Sequence, residues 1–229
     1  MSASIRFVSR RLLPLIADIE VRGSLKLPQG GFILAANHLG RLDSLMVYYV
    51  LDSNDVIHPL TDKYKSHPFF RIVAWWLKVT WLKRGEADMK AMREFISRLR
   101  NGAVMVITPE GTRSKTATLL KGEPGAIYIA SSAGVPIVPV AVTGTEDAVV
   151  KARLKKFQRL KITITAGLPF MPPDIKSVKG AERDQMLQTA TDDLMCRIAS
   201  MLPESYRGFY AKHPRLKEYI TLRENGAGV

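Results

Sequence analysis

The sequence is poor in cysteine, because its 229 residues include only Cys196. A single thiol excludes an intramolecular disulfide framework and a metal cluster built on cysteine, and it is typical of a protein kept in a reducing compartment. The histidine pair of the HExxH zinc motif is absent as well. We therefore expect a protein that carries no resident metal or cofactor.

The N-terminal part lacks an apolar run long enough for a membrane span. Residues 12–17 are apolar, but Pro14 interrupts them and Asp18 closes them, and they do not resemble a cleavable signal. On a helical wheel, residues 1–20 still have an apolar stripe flanked by arginines, made of Ile5, Val8, Leu12, Leu15, Ile16 and Ile19. This pattern predicts an amphipathic segment that either contacts a membrane or packs on the core, with a break at Pro14.

Acidic residues are outnumbered by basic ones, 21 against 34, which gives a formal net charge of +13. Such a surface attracts anions, which could be nucleic acid, phosphorylated metabolites or an anionic bilayer. The cations are spread along the chain, and no recognised nucleic-acid-reading module is present. We therefore expect no nucleic-acid partner.

The alternation of predicted elements is typical of an α/β domain. Seven strands are predicted, at residues 21–27, 31–36, 56–61, 79–82, 104–107, 135–140 and 161–166. Helices are predicted at residues 45–51, 68–78, 86–101, 125–133 and 182–202. We expect a mixed sheet of about seven strands flanked by helices, with the prolines of 135–140 indicating an edge or bulged strand. The domain would cover residues 21–202, after the amphipathic segment 1–20 and before a tail, 203–229, to which no chemistry is assigned.

His38 and Asp43 follow the apolar run 31–36. Within one helix, five positions correspond to about 140° of rotation, so the two side chains would face apart. They can meet if His38 lies in a loop and Asp43 in the first turn of the next helix, which Gly40 permits. Asp43 could then fix the imidazole tautomer while the other ring nitrogen removes a proton from a hydroxyl. The alternative is a helix cap beside a solvated ring.

Two further loops carry charge where a predicted strand ends. Lys83 and Arg84 follow one strand, and Glu110 and Arg113 follow another. Arginine can hold a phosphate as a fork and lysine as a point charge. The proline, glycine and threonines of residues 108–114 make the second loop an exposed binding turn.

Taken in order, four sequence blocks resemble those of the glycerophospholipid acyltransferases, the family that contains bacterial 1-acyl-glycerol-3-phosphate acyltransferase. The blocks are Asn37-His38 with Asp43, Lys83-Arg84, Pro109-Glu110-Gly111-Thr112-Arg113-Ser114 and residues 135–140. The resemblance covers residues 21–142. The chain departs from the family pattern at Gly40, where serine is usual, at Lys78, where glycine is usual, and at Thr108, where an aromatic is usual.

The resemblance implies that His38 and Asp43 are the catalytic pair. It also implies acceptor-binding and donor-side residues: Arg84, Glu110, Gly111 and Arg113 for the glycerophosphate, and Pro136 and Pro139 for the acyl-donor side. Their charge makes Lys63, Lys83 and Lys121 further candidates for the phosphate. Backbone N–H groups near Gly111 and Thr112 are candidates for stabilising an oxyanion.

The expected reaction is acyl transfer from acyl-CoA or an acyl carrier protein to the free hydroxyl of a lysophospholipid, most directly 1-acylglycerol-3-phosphate, to give phosphatidic acid. A thioester is already activated, so this chemistry needs a base and held substrates but no enzyme nucleophile. We expect the protein at the cytoplasmic, inner face of a membrane, against its anionic surface. Another lysolipid or glycolipid acceptor is the alternative. A serine hydrolase is disfavoured because Ser132 would end a helix instead of occupying a strand-to-helix turn.

Overall fold

The computed structural model describes residues 2–23, 27–61, 68–77, 79–82 and 88–225. Eight helices lie in this part of the chain: α1 (Ser2–Ile16), α2 (Asp43–Val50), α3 (Pro68–Leu77), α4 (Met89–Arg100), α5 (Gly125–Ala133), α6 (Asp147–Lys155), α7 (Gly180–Met201) and α8 (Pro214–Glu224). Eight strands lie there as well: β1 (Ala17–Gly23), β2 (Phe32–Ala36), β3 (Val56–Ile57), β4 (Pro59–Thr61), β5 (Thr80–Leu82), β6 (Val104–Ile107), β7 (Ile137–Thr143) and β8 (Leu160–Ala166).

Six strands form one mixed sheet in the order β1-β8-β7-β2-β6-β3, and β4 pairs with β5 in a separate parallel ribbon. Strands β3, β6, β2 and β7 are mutually parallel, so the loops that follow them emerge at one edge of the sheet. Strand β8 runs antiparallel to β7, and β1 runs parallel to β8. The expected mixed α/β sheet is confirmed, with six strands in the main sheet instead of seven.

Helices cover both faces of this sheet, because its central strands are apolar throughout. All five residues of β2 are buried, as a strand covered on two sides requires. Phe95 of α4, Ile127 of α5 and Leu194 of α7 pack on the face that carries Ile33. The opposite face carries Leu34 and packs against α2 and the end of α1.

Two predictions about the strands were wrong. Strand β1 begins at Ala17, four residues before the predicted start. Strand β7 is central despite Pro139, because its ladder with β8 begins one residue later, at Val140. The carbonyl of Pro139 accepts the N–H of Gly167 at 2.9 Å, and a residue's N–H and C=O point to the same side of a strand. The missing N–H of Pro139 would therefore point toward β8, where the β7–β8 pairing has not yet begun. The proline removes at most one hydrogen bond, at the end of that pairing.

Helix α1 differs from its predicted stripe. Ile5, Ser9 and Leu13 are buried, at helical spacing, while Leu12 and Leu15 are exposed. The helix continues past Pro14 to Ile16, so the predicted break at Pro14 is not found. None of the helices in the described ranges is long and apolar enough to cross a membrane.

The segment after α7 folds back onto the domain. Tyr210 is fully buried, and its hydroxyl accepts the N–H of Gly122 at 3.0 Å and donates to Asp192 at 2.9 Å. Helix α8 packs against α7 through Leu216 and Tyr219. These contacts hold the loop that precedes α5, so the C-terminal segment helps to shape the edge of the sheet where the parallel strands end.

The side chain of Asn37 extends the β2–β7 pairing by one step. Its amide nitrogen donates to the carbonyl of Val142 at 2.9 Å, and its amide oxygen accepts the N–H of the same residue at 2.8 Å. Asn37 is 1% exposed, so water cannot replace either bond. The chain is therefore fixed in place immediately before His38.

We predict that Asn37→Leu lowers the free energy of unfolding by about 2 to 4 kcal/mol, because it leaves a buried N–H and a buried C=O without partners. Urea denaturation followed by circular dichroism measures the change. Gln29→Leu, in an exposed loop, is the matched control and should change the value by less than about 0.5 kcal/mol. Equal stability of Asn37→Leu and the unsubstituted protein would contradict the assignment.

Candidate active site

His38 and Asp43 lie in contact at the end of β2. The distance between His38 Nδ1 and Asp43 Oδ2 is 2.7 Å. His38 is in the loop after β2, and Asp43 is the first residue of α2. The predicted geometry of the pair is confirmed; the catalytic role stays a prediction.

Asp43 organises the whole loop through one oxygen. Besides facing the imidazole, Oδ2 accepts the N–H of Leu39 at 2.8 Å and that of Gly40 at 2.9 Å. An ionised carboxylate is an acceptor only, so the ring donates through Nδ1 and Nε2 is left with a lone pair. The carboxylate also lies in the first turn of α2, where the helix dipole favours negative charge. The site therefore holds an oriented imidazole whose Nε2 has no partner among the residues that the structure describes.

From a buried position, Glu110 connects the loop after β2 with its own loop, which runs from β6 to α5. One carboxylate oxygen accepts the N–H of His38 at 2.9 Å, and the other accepts the N–H of Leu120 at 2.9 Å. Burial raises the pKa of Glu110, against the lowering effect of these two backbone N–H groups. Both carboxylate oxygens thus accept backbone N–H groups, those of His38 and Leu120. The predicted contact of Glu110 with the acceptor stays a prediction.

Asp147 was missed by the sequence reasoning, and it joins two of the loops. Its carboxylate accepts the backbone N–H of Arg41 at 3.0 Å and pairs with Nη1 of Arg113 at 2.6 Å. The guanidinium of Arg41 lies 4.0 Å from the same carboxylate. Two cations therefore converge beside His38 with one carboxylate holding them.

The glycine at position 40 has a steric cause. A Cβ at Gly40 would lie 1.8 Å from the carbonyl oxygen of Thr145 and 3.2 Å from Oδ1 of Asp147. A backbone oxygen at that distance cannot move aside cheaply, so the segment after β7 requires glycine here. The departure from the family's usual serine is thus coupled to the close approach of Thr145 and Asp147.

His38 lies where two cavities meet. The first is a polar cleft of about 830 Å³ that carries the cations Arg41, Arg113 and Lys115 and the acids Glu146 and Asp147. The second is a pocket of about 330 Å³ lined mainly by apolar residues, among them Val47, Leu82, Met92, Phe95 and Ile129. A substrate with one anionic and one apolar end could therefore approach Nε2 from both sides.

Two polar residues of the cavities come from segments to which no chemistry was assigned. Tyr206 lines the polar cleft, and its hydroxyl donates to Glu146 Oε1 at 2.6 Å. Burial, together with this bond, raises the pKa of Tyr206 to about 12, so it remains a donor at neutral pH. His58 lines the apolar pocket, where burial lowers its pKa to about 4, and its Nε2 lies 2.8 Å from the hydroxyl of Tyr48. The apolar pocket is thus kept free of a charge from His58.

The other predicted site residues are placed unequally. Gly111, Thr112 and Arg113 line the polar cleft, as does Thr108. The N–H of Gly111 is already bonded to the carbonyl of Thr108 at 3.0 Å, so it is a poor oxyanion donor. The N–H of Thr112 has no partner among the residues that the structure describes, and it stays the candidate.

Lys121 does not reach either cavity. It is exposed, between Leu120 and Gly122, whose N–H groups are bonded to Glu110 and Tyr210. Pro136 and Pro139 also line neither cavity, so their predicted donor-side role has no direct contact to support it. The predicted phosphate ligands Lys63, Lys83 and Arg84 lie outside the described residues.

The structure also bears on the rival chemistries. Ser132 lies inside helix α5, one residue before its end, so it cannot occupy a strand-to-helix nucleophile turn. Within the described ranges, no group of three or more His, Cys, Asp or Glu residues is placed to hold a metal ion.

Comparisons with known proteins agree with this geometry. The family described as Acyltransferase matches residues 18–143, more than half of the chain. Proteins similar to this chain include the 1-acyl-sn-glycerol-3-phosphate acyltransferase of Saccharomyces cerevisiae, 28% identical over 77% of this chain and 61% of that protein. They also include the alpha form from Ovis aries, 28% identical over 74% of this chain and 61% of that protein. The chain thus spans about three fifths of the length of these curated relatives.

The fold is found in a solved structure as well. The crystal structure of the 1-acyl-sn-glycerophosphate acyltransferase from Thermotoga maritima superposes with a TM-score of 0.59 at 25% identity, covering 84% of this chain and 78% of that one. The family match runs from β1 to the end of β7, so it includes the loops that carry His38, Asp43 and Arg113. On this evidence the chain belongs to the acyltransferase family.

Proposed function

We propose that this protein transfers an acyl group from a thioester donor to the free hydroxyl of 1-acyl-sn-glycerol-3-phosphate, giving phosphatidic acid. One observation carries the proposal: an imidazole oriented by a carboxylate at 2.7 Å lies where a cationic cleft meets an apolar pocket. The relatives' names supply the acceptor. The geometry supports His38 as the base, the polar cleft as the phosphate site and the apolar pocket as the site of a hydrocarbon chain.

In the proposed reaction, His38 Nε2 takes the proton of the acceptor hydroxyl as its oxygen attacks the thioester carbonyl. The negative charge passes to the carbonyl oxygen, and the N–H of Thr112 is the candidate to stabilise it. The carbon–sulfur bond then breaks, and the proton on Nε2 passes to the leaving thiolate. Asp43 stabilises the imidazolium between the two proton transfers. No covalent enzyme intermediate is required.

The acceptor phosphate is assigned to the polar cleft. Arg113 engages Asp147 through Nη1, which leaves the other N–H groups of its guanidinium to face an anion. Arg41, with 72% of its side chain exposed, and Lys115 lie in the same cleft. Lys63, Lys83 and Arg84 remain candidate ligands on the basis of the sequence.

The apolar pocket is assigned to a hydrocarbon chain of one substrate. Its lining from α4, α5 and β6 is apolar, and the pKa of His58 keeps that ring neutral. Burial of methylene groups there would favour binding by about 0.8 kcal/mol for each group. The donor is acyl-CoA or an acyl carrier protein, both of which present the same thioester to His38.

Contact with an anionic membrane surface fits the exposed apolar side chains of two helices. Phe7, Leu12 and Leu15 of α1 are exposed, as are Ile72 and Trp75 of α3. We propose that these helices lie at the inner face of the membrane, in the interfacial plane. The tryptophan is suited to that position because its ring is amphipathic.

A second acceptor class is supported by Asp147. A carboxylate inside the polar cleft repels a phosphate but accepts hydrogen bonds from hydroxyl groups. The alternative function is therefore acylation of another lysolipid or glycolipid whose head group carries hydroxyls. Initial rates with 1-acylglycerol-3-phosphate and with uncharged lysolipids would separate the two, because preference for the uncharged acceptor would exclude the phosphate assignment.

The catalytic base is tested with His38→Ala. General base catalysis contributes about 10²- to 10⁴-fold, so we predict a loss of kcat in that range while the protein remains folded. Thiol release from acyl-CoA in the presence of acceptor measures the rate. His213→Ala, at a residue that lines neither cavity, controls for the loss of an imidazole. A His38→Ala variant with near-normal turnover would remove His38 from the mechanism.

The phosphate assignment is tested with Arg113→Ala. One charge-assisted hydrogen bond is worth about 1.5–3 kcal/mol, so the acceptor KM should rise by about 10- to 100-fold, with a smaller change in kcat. Arg113→Lys should recover part of this loss, and Lys176→Ala, at an exposed position, should change nothing. An unaltered acceptor KM in Arg113→Ala would place the phosphate elsewhere.

The supporting role of Glu110 is tested through stability. In Glu110→Gln, the amide NH₂ cannot accept an N–H, so we predict a loss of about 1–3 kcal/mol in the free energy of unfolding. The sign of the pH effect follows from the raised pKa of Glu110. The folded state binds the proton of the Glu110 carboxyl more tightly than the unfolded chain does. The stabilisation that this proton gives to the folded state is therefore complete below about pH 4.3, and it is lost as the pH rises through the folded-state pKa.

The difference in the free energy of unfolding between the unsubstituted protein and Glu110→Gln should therefore become smaller as the pH rises above about 4.3. Urea denaturation at a series of pH values measures it. Glu182→Gln, at an exposed position, is the control. A deficit that widens with pH would show that the ionised carboxylate is the stabilised form.

A further inference from the structure

Helix α6 and the turn after it carry positive charge and exposed apolar groups next to the polar cleft. Residues 148–161 contain six Lys and Arg residues and no acidic residue. Phe157, in the turn, is 100% exposed, and Leu154 of α6 is 44% exposed. Cations around exposed apolar groups are the combination that binds an anionic lipid surface.

The turn that holds Phe157 is ordered by the backbone. The N–H of Phe157 donates to the carbonyl of Leu154 at 3.1 Å, and the N–H groups of Lys156 and Gln158 both donate to the carbonyl of Arg153 at 3.0 Å. Phe157 closes this turn with φ of 52°, a conformation in which glycine or asparagine is normally found. A bulky aromatic is strained in this conformation, and the ring of Phe157 is fully exposed.

Arg159 fastens this turn to the end of α1. Its guanidinium donates to the carbonyls of Pro14 at 2.7 Å, Leu15 at 3.0 Å and Ala17 at 3.0 Å, and it pairs with Asp18 at 2.7 Å. Ala17 and Leu160 are partners in the parallel β1–β8 pair, so the two strands begin about 5 Å apart. The exposed residues before each strand therefore lie side by side.

We infer that these residues form one membrane-docking surface, here called the interfacial edge, whose partner is an anionic lipid bilayer. The interfacial edge consists of Leu12, Leu15 and Ile16 from α1 with Leu154 and Phe157 from α6 and its turn, all exposed. Lys151, Lys155, Lys156 and Lys161 are exposed beside it. The positive charge favours an anionic partner. The exposed apolar side chains favour a partner into which they can insert, and a lipid bilayer meets both conditions.

The position of this surface connects it to the cleft. Strand β8 runs antiparallel to β7, so the start of β8 lies at the edge of the sheet where β7 ends and the catalytic loops emerge. Ala148 and Val149, at the other end of α6, line the polar cleft. Val149 and Phe157 are eight residues apart, which is about 12 Å along a helix. A bilayer that receives Phe157 therefore lies next to the opening through which a lipid acceptor would enter.

The inference names the membrane-facing surface of the proposed function, and it can be tested without turnover. Vesicles of phosphatidylcholine alone and of phosphatidylcholine mixed with phosphatidylglycerol are sedimented with the protein. Phe157→Asn removes the ring and keeps a residue that tolerates this backbone conformation. It should weaken binding to the mixed vesicles by about tenfold or more. Lys155→Gln with Lys156→Gln should weaken it by about tenfold, with a reduced dependence on salt.

Met171 supplies the matched control. It is 60% exposed and follows Phe170, which pairs with Ile137 at the opposite end of β7. Met171→Asn should therefore leave vesicle binding unchanged. Cys196 is buried, so Phe157→Cys and Met171→Cys can each be labelled with an environment-sensitive dye. The dye at position 157 should shift to an apolar signal on mixed vesicles, and the dye at position 171 should not.

Unchanged vesicle binding by Phe157→Asn, or a dye at position 157 that stays in water, overturns the inference. Dissociation of an oligomer by Phe157→Asn, seen by size-exclusion chromatography, also overturns it, because the occupant would then be a second copy of the chain. Acyl transfer to a short-chain acceptor in solution separates this failure from that of the proposed function. Phe157→Asn should retain the unsubstituted rate there, whereas a protein without any acyl transfer refutes the proposed function alone.

Discussion

The arrangement of the site depends on one oxygen of Asp43. It receives the imidazole of His38 and two consecutive backbone N–H groups, those of Leu39 and Gly40. Three donors converging on one carboxylate oxygen determine the path of the loop and the orientation of the ring together. Substitution of this carboxylate would therefore disturb the geometry of the base as well as its electrostatics, and the two effects cannot be separated at this residue.

The parallel arrangement of β2, β6 and β7 explains why segments distant in the sequence meet at this loop. Strands β2, β6 and β7 end side by side, so the loops that contain His38, Glu110 and Asp147 emerge together. Each loop is then tied to a neighbour by a carboxylate that accepts backbone N–H groups: Glu110 holds His38, and Asp147 holds Arg41. These two acidic residues of a cationic protein thus fix the backbone at His38 and Arg41.

The sequence was informative where an interaction is local or the residue order is distinctive. The contact of His38 with Asp43 could be predicted because they are only five positions apart and one loop decides whether they meet. Asp147 could not, because its contact with Arg41 depends on the strand order, which places β7 beside β2. Tyr206 was missed for the same reason, since a tail shows no sign in its composition of folding back to a cleft. Pro139 led to the wrong prediction of an edge or bulged strand. The number of hydrogen bonds that a proline removes depends on where the pairing with the neighbouring strand begins, and the sequence does not show that position.

Charge in the cleft is balanced more closely than the net charge of +13 suggests. Arg113 and Arg41 share Asp147, and Tyr206 donates to Glu146 beside them. Without such partners, two guanidinium groups near each other would repel and their side chains would spread into solvent. With them, the cations are held before the substrate arrives, and in the proposed function an incoming phosphate meets the remaining N–H groups of Arg113 instead of ordering free side chains. The Asp147 carboxylate repels a phosphate, but by holding the cations it reduces the entropic cost of forming the proposed phosphate site.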